Sequence, residues 1–382
     1  MGTPVIVDAA RTPFGKRNGT LAGVHPARLL GRAQRQLLAR NQIEPAAVGQ
    51  VIGGCVTQAG EQSSNVARTA WLADGLPYQV GATTIDSQCG SAQQALHLIT
   101  ALVAADVIDT GLACGVEAMS RVPLMSNFTH GPGKVRPAGW TLDMPSQFVG
   151  ADRIARRRGF SRADLDAFGL RSQERAAKAW ADGRLDGQIL PIELVDEDGH
   201  AVSMQRDQGL RATSLEALAG LKPVLDDGLH TAGTSSQISD GASAALVMDE
   251  KLAVARGLRP RARLRAQCLI GGEPEYLLDG PIDAARGALQ RAGMTIDDID
   301  VVEVNEAFAA VPMSLQAVLG VDDDKLNVNG GAIAIGHPVG ATGIRLIATA
   351  LGELERRDAA TALVAICTGG AMATACVLER IG

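Results

Sequence analysis

Apolar positions follow two rhythms along this chain. After Cys89, the stretch GSAQQALHLITAL places Ala92, Leu96, Ile99 and Val103 on one helical stripe. Ala95, Leu98 and Leu102 make the other side apolar too, and a helix apolar all round is expected to be buried. The segment from Gly340, GATGIRLIATAL, also carries little polar surface. Short apolar runs of strand length lie between such helices, among them VVEV before Asn305 and ALVAIC ending in Cys367. Strands alternating with helices predict an α/β fold, a mixed sheet covered by helices.

The pattern occurs twice. LLARNQIEPAAVGQVIGG from Leu37 matches ALQRAGMTIDDIDVVEVN from Ala288, and GSAQQALHLITAL from Gly90 matches GATGIRLIATAL. CGVEAM at Cys114 matches CTGGAM at Cys367, and all three offsets fall between 250 and 253 residues. ASAALVMDE near Ala242 resembles MATACVLER near Met372. Four matches in order predict a duplicated α/β unit, with one buried helix from each copy packed against the other between two sheets. The first copy is interrupted between Arg121 and Ser239 by loop material, HGPGKVRPAGW, and a polar helix whose start, SRAD at Ser161, reads as a capping box. The expected division is 1–120 plus 240–255, an inserted loop domain over 121–239, and 256–382.

Composition narrows the class. Only 3% of 382 residues are aromatic while 44 are Gly, so cores must be built from Ala, Val, Leu and Ile in close layers. A net charge of -6 gives no electrostatic support for nucleic-acid binding. No apolar run reaches the length of a membrane span. The first residues lack the basic-then-apolar order of a signal peptide, and Ile6 breaks the myristoylation pattern. Six scattered cysteines with no C-x-x-C pair fit a reduced, cytoplasmic protein.

Cys89 precedes Gly90 and Ser91 where an apolar helix begins. Free amides and the positive end of the helix favour a thiolate there, and the same amides can hold an oxyanion. The alternative is a small residue chosen for packing. His337, between Gly336 and Pro338, lies near the position equivalent to Cys89 in the second copy and is placed to act as its base. Cys367 ends a strand before Gly369 and Gly370, which allow close backbone approach to a ligand. Cys114, its expected mirror, reads as structural, as do Cys55, Cys268 and Cys376. Asn305 reads either as a helix cap or as a group that fixes a water or an oxyanion.

These residues resemble the thiolases over the whole chain. QCGSAQQA is similar to the nucleophile segment, and NEAF, GGAIAIGHPVGATG and CTGGAMA to the three C-terminal signature blocks, in order. The resemblance implies a βαβαβαββ half repeated twice, layered α-β-α-β-α, with a loop domain that binds coenzyme A. It implies that Cys89 accepts the acyl group, His337 activates it, Cys367 moves the proton at the α-carbon and Asn305 holds a water in a first oxyanion hole. The amides of Cys89 and Gly369 form the second hole. Ser236, Gln237 and Ile238, with Ala307, Phe308, Arg211 and Gln147, fall in CoA-contacting positions. No metal or prosthetic group is implied, since coenzyme A is a substrate.

The implied reaction is thiolysis of a 3-oxoacyl-CoA, reversible as a Claisen condensation. GGCVTQAGEQSSNVAR, RDQGLR and HTAGTSSQISDGA look most like actinobacterial β-oxidation thiolases of the steroid side-chain type. The alternatives are a biosynthetic acetoacetyl-CoA thiolase and a non-catalytic CoA- or lipid-binding relative. A ketosynthase-type enzyme would normally carry His or Asn in place of Cys367. Three features depart from the common pattern: Asp86 where Asn is usual, Ala92, Ala371 and Ala373 where Gly is usual, and Ser146, before Gln147, where acetoacetyl-CoA thiolases carry His. A homodimer or dimer of dimers is implied, with Trp71 and Leu72 in the segment 60–77 suiting a subunit contact.

Overall fold

The computed structural model describes residues 2–129, 131–195 and 199–381; His130, where the loop stretch begins, lies outside them. The first half runs β1 (Pro4–Arg11), α1 (Pro26–Arg40), β2 (Gln50–Gly54), α2 (Val66–Ala73), β3 (Gly81–Ile85), α3 (Ser91–Ala104) and β4 (Thr110–Ala118). After an interruption holding α4 (Gln147–Arg158), α5 (Arg162–Ala181) and the hairpin β5 (Ile192–Val195) and β6 (Ala201–Met204), it closes with β7 (Ser239–Asp249). The second half runs β8 (Ala262–Gly271), α6 (Pro281–Ala292), β9 (Val301–Val304), α7 (Ala310–Leu319), α8 (Thr342–Arg357), β10 (Thr361–Thr368) and β11 (Met372–Arg380). The capping box is present: Ser161 accepts from Asp164 N while the Asp164 carboxylate accepts from Ser161 N.

The strands order as β3-β2-β4-β7-β1 and β8-β11-β10-β9, joined into one sheet where Ile6 of β1 meets Ala262 of β8. Each half thus follows βαβαβαββ. In the second copy the third strand shrinks to one bridge, Leu326 beside Val302. Three apolar clusters define the layers. One packs α1 and α2 on the outer face of the first half, one packs α6 and α7 on the outer face of the second, and the third encloses α3 and α8 between them. The layering is α-β-α-β-α.

Matching starts, Ser91 with Thr342 and Thr110 with Thr361, fix the true offset at 251 residues. This corrects two expectations. The counterpart of Cys367 is Val116, not Cys114, which sits one pleat earlier on the same face of β4. The second-copy helix begins at Thr342, so His337 stands five residues ahead of it and Gly340 is the counterpart of Cys89. A third correction concerns α3: it is not buried all round, because Leu98 is 37% exposed and Ala101 is open as well. A fourth concerns Trp71, which is fully buried in the first outer core and donates through Nε1 to Pro77 O at 2.7 Å. Its neighbour Leu72 is 44% exposed.

The two central helices touch through glycine. A Cβ on Gly343 of α8 would stand 2.3 Å from the Gln93 backbone N of α3, and one on Gly115 would stand 2.1 Å from Gly340 O. Helix propensity favours Ala over Gly by about 1 kcal/mol, whereas forcing a methyl into a closed contact costs about 1–3 kcal/mol. Overpacking therefore wins at Gly343 and Gly343→Ala is expected to lower the urea midpoint. Gly352 lies in the same helix with no atom within 4 Å of an added Cβ, so Gly352→Ala is expected to raise it. Equal shifts of one sign would show that the helices do not meet at Gly343.

Candidate active site

Five elements converge on the predicted residues. Cys89 ends the turn after β3, preceded by Gln88 in the left-handed region at φ 51° and followed by the α3 N-cap Gly90. Asp86 Oδ1 accepts from Gln88 N at 2.7 Å, which holds this turn. Gly369 follows β10, and an added Cβ there would lie 2.8 Å from Gln88 Oε1, so the Gln88 side chain packs directly on the Gly369 backbone. The Gly369 amide donates to Cys89, and Cys367, two residues earlier, lies close enough to feel the charge of Cys89.

Asn305 follows β9, and its amide donates to Ala365 O of β10, two residues before Cys367, at 3.0 Å. It caps no helix, since α7 begins only at Ala310. Its side-chain Nδ2 stands 3.3 Å from His337 Nε2. His337 Nδ1 lies 2.7 Å from Thr342 Oγ1, and that hydroxyl already donates to Pro338 O at 2.9 Å. The hydroxyl must therefore accept from His337, which puts the proton on Nδ1 and leaves Nε2 a lone-pair acceptor.

Burial decides the charges here. It pushes the Cys89 thiol up to about 12, against the lowering effect of the Gly369 and Cys89 amides. Burial first, and Arg345 second, hold His337 down to about 3. Cys367 is raised well above the usual thiol range by burial and by Cys89. The expected thiolate at the helix start is thus corrected: the resting site holds a neutral thiol and a neutral imidazole. The helix end contributes about 0.3–1 kcal/mol, less than the roughly 1.4 kcal/mol that moves a pKa by one, so desolvation outweighs it.

Several residues that build the site escaped the sequence reading. Glu117 of β4 is fully buried and accepts from Val56 N, Thr57 N, Gln62 Nε2 and Gly340 N at 2.8–3.1 Å, tying the His337 loop to the first half. Glu306 accepts from Ser172, Asn327 and Ile333 N and fixes the segment before His337. A lone acid inside an apolar strand, GVEAM, was the available signal for Glu117, and Glu306 stood in NEAF just past the strand end.

The expected CoA-contacting residues cluster around Phe308. Ser236 N donates to Ala307 O at 2.9 Å, and Ser235 bridges Phe308. Phe308 meets Phe148 of α4 edge-on at 4.8 Å, beside Gln147, and His230 at 5.5 Å. Ile238 and Arg211 are exposed, and the Arg211 guanidinium reaches Ala232 O at 3.5 Å. Gln237 differs: its amide donates to Gly209, Ile333 and Ala334 carbonyls, and its own carbonyl accepts from His337 N. Its side chain is spent on holding the His337 loop.

Buried thiols give a pH signature. Burial raises Cys89, Cys114 and Cys376 each to about 12, while unfolded thiols ionise near 8.5. A raised folded value means stability is intact below the unfolded value and lost as pH climbs past it, by roughly 2 kcal/mol per thiol at pH 10. The urea midpoint is therefore expected to fall between pH 8 and 10, and Cys114→Ala is expected to shrink the fall. A flat midpoint would contradict it.

Comparison with known proteins agrees with this geometry. The thiolase N-terminal domain model matches residues 4–251 and the thiolase C-terminal domain model residues 258–380. The chain is 43% identical to the steroid 3-ketoacyl-CoA thiolase FadA6 of Mycobacterium tuberculosis, covering 98% of this chain and 94% of that one. It is 41% identical to the beta-ketoadipyl-CoA thiolase of Escherichia coli, over 98% and 99% of the two chains. The crystal structure of the Bacillus anthracis acetyl-CoA acetyltransferase superposes with a TM-score of 0.91 at 34% identity, over 100% and 99%. With both domain models matched in sequence and the fold shared throughout, the chain belongs to the thiolase family of acyltransferases.

Proposed function

We propose that this thiolase works in the degradative direction, cleaving bulky 3-oxoacyl-CoAs to acetyl-CoA and a shortened acyl-CoA through an acyl-enzyme on Cys89. The observation that carries the reading is the neutral couple: a buried thiol beside an oxyanion-holding amide, and an imidazole whose Nε2 is fixed as an acceptor. Cys89 Sγ attacks the 3-keto carbon and its proton passes to His337 Nε2, which gives up its 3.3 Å contact with Asn305 Nδ2 as it takes the proton. The alkoxide lies against the Asn305 and His337 side, and the C2–C3 bond breaks. The departing enolate of acetyl-CoA is held by the Cys89 and Gly369 amides and protonated by Cys367. Free CoA then takes the acyl group from Cys89. The thioester acidifies the α-carbon, so the cycle calls on no prosthetic group.

The loop domain over 121–239 is assigned to CoA, with Ser236, Ala307 and Phe308 along the pantetheine arm and Arg211 toward the adenine. Support for bulky acyl chains comes from Ser146 and Gln147, which stand exposed at the start of α4 with Ser146 spent as its N-cap. Relatives named for steroid and ketoadipyl substrates point the same way. The enzyme is proposed to act in the cytoplasm; among the described residues no helix is long and apolar enough to cross a membrane.

Two variants separate the thiols. Cys89→Ala is expected to abolish all turnover with the fold intact. Cys367→Ala is expected to form the acetyl-enzyme from acetyl-CoA at near wild-type rate yet fail in carbon–carbon cleavage, and equal loss of both steps would overturn the division of labour. For substrate, kcat/KM is expected to be roughly tenfold or more higher for a steroid-side-chain or long-chain 3-oxoacyl-CoA than for acetoacetyl-CoA. A ratio below one would mark a short-chain enzyme and leave the mechanism standing.

A homodimer is proposed from two exposed features, the unpaired edge of β3 and the Leu98–Ala101 side of α3. Leu98→Glu is expected to shift the molecule toward monomer by light scattering. A wild-type monomer at micromolar concentration would refute the dimer.

A further inference from the structure

Behind the site lie a buried base and a buried acid that the proposed cycle does not use; burial raises the Glu303 carboxyl to about 8, so below that it faces Arg345 mostly as the neutral acid. Arg345 of α8 and Glu303 of β9 are both buried, with Arg345 Nη1 3.5 Å from Glu303 Oε2. Neither Glu303 carboxylate oxygen nor Arg345 Nε has a hydrogen-bond partner. Such a pair is a poor device for stability, because desolvating an ion costs several kcal/mol and well-packed apolar residues do as well. The guanidinium makes one directed contact: Nη2 donates to Asn305 Oδ1 at 3.3 Å.

That contact sets an orientation. A guanidinium carries only donors, so Asn305 must offer it the carbonyl oxygen. The Asn305 NH2 group is then turned toward His337 Nε2, where it donates. The reversed amide would present Oδ1 to Nε2 and favour a protonated ring. Arg345 also keeps its own charge at every working pH, and a permanent cation disfavours an imidazolium nearby.

Other charges around His337 are tied up. Glu306 is spent on Ser172, Asn327 and Ile333 N, and Glu117 on four donors that include Gly340 N. Arg11 is closed on Asp207 at 2.5 Å. Arg175 and Glu353 bear on Glu303, and the thiols of Cys89 and Cys367 are neutral. Among charged groups, Arg345 is the one that lowers His337.

We propose that Arg345, anchored by Glu303, is a positioning residue that locks the Asn305 amide toward His337 and keeps the ring a neutral base. The inference rests on the assignment of His337 as the base for Cys89. Its test is the rate of Cys89 acetylation by acetyl-CoA, measured by rapid quench from about pH 4 to about pH 8.5, a range that starts below where an ordinary histidine titrates. The wild-type rate is expected to stay flat toward acid. In Arg345→Met an acidic limb is expected to appear toward the acid end only, because burial, the larger cause, still holds the ring below its ordinary value while the loss of the cation lets it take a proton sooner than in wild type. Arg345→Lys, which keeps the charge, is expected to lower the amplitude and keep the flat shape.

Should Arg345→Met not fold, the paired variant Glu303→Gln/Arg345→Met removes the buried acid and base together and carries the same expectation. Met variants that run parallel to wild type at all pH values would overturn the proposal. His337→Asn separates the two readings. A low, pH-independent rate supports His337 as the base, and a wild-type rate sinks that assignment irrespective of Arg345.

Discussion

Everything catalytic in this molecule hangs on the contact between α3 and α8. Each half-sheet has an inner face that needs covering, and the two central helices cover both at once. Glycine lets them approach until backbone meets backbone, at Gly343 against Gln93 N, and Gly115 of β4 lets the loop before α8 close in through Gly340 O. Both helices therefore begin near the same place, one preceded by Cys89 and the other by the His337 loop. Val339 packs in the same inner core as Cys89, and Glu117 reaches from β4 across to Gly340 N. Loosening that contact would separate Cys89 from the His337 loop without touching either.

Sequence patterning reached the fold because duplication leaves a mark that survives divergence. The repeat predicted the layers and the equivalence of the Cys89 and His337 segments. It failed where the copies diverged in hydrogen bonding rather than in pattern, as at Leu326, whose one bridge replaces a strand. It also slipped by two residues at Cys114, because a strand has a period of two and a shift by one pleat leaves the facing unchanged. Trp71 and Leu98 were misread in opposite directions for a common reason. Amphipathic position says which side of a helix a residue is on, and only tertiary packing says what lies there.

The candidate residues Cys89 and His337 and the glycines beside them were legible, since tight turns need particular residues. Its electrostatics were not. A helix N-terminus reads as a place for a thiolate, yet its pull is small beside the cost of burying a charge. Glu303 and Arg345 were missed because one acid in an apolar strand and one base in an apolar helix look like alternation toward solvent. Nothing local reveals that they face each other. A buried acid facing a buried base is a statement about two distant segments, and it appears only when the chain is folded.

The departures from the common pattern also change meaning once placed. Ala373 faces the outer core, where a Cβ on Gly280 would come within 2.9 Å of its methyl, so it fills the packing under α6 and does not narrow the catalytic turn. Ala371 does sit in that turn, in the left-handed region at φ 54°, where a non-glycine residue costs of order 1 kcal/mol. Its carbonyl accepts from Gly272 N at 2.6 Å, which holds the turn in place from the β8 side. Gln88 closes the opposite side against Gly369. The turn is thus braced on both flanks, and the acyl group has no room to gain there. Under the proposed function, that leaves selection among acyl chains to the exposed stretch that leads to Ser146 and Gln147.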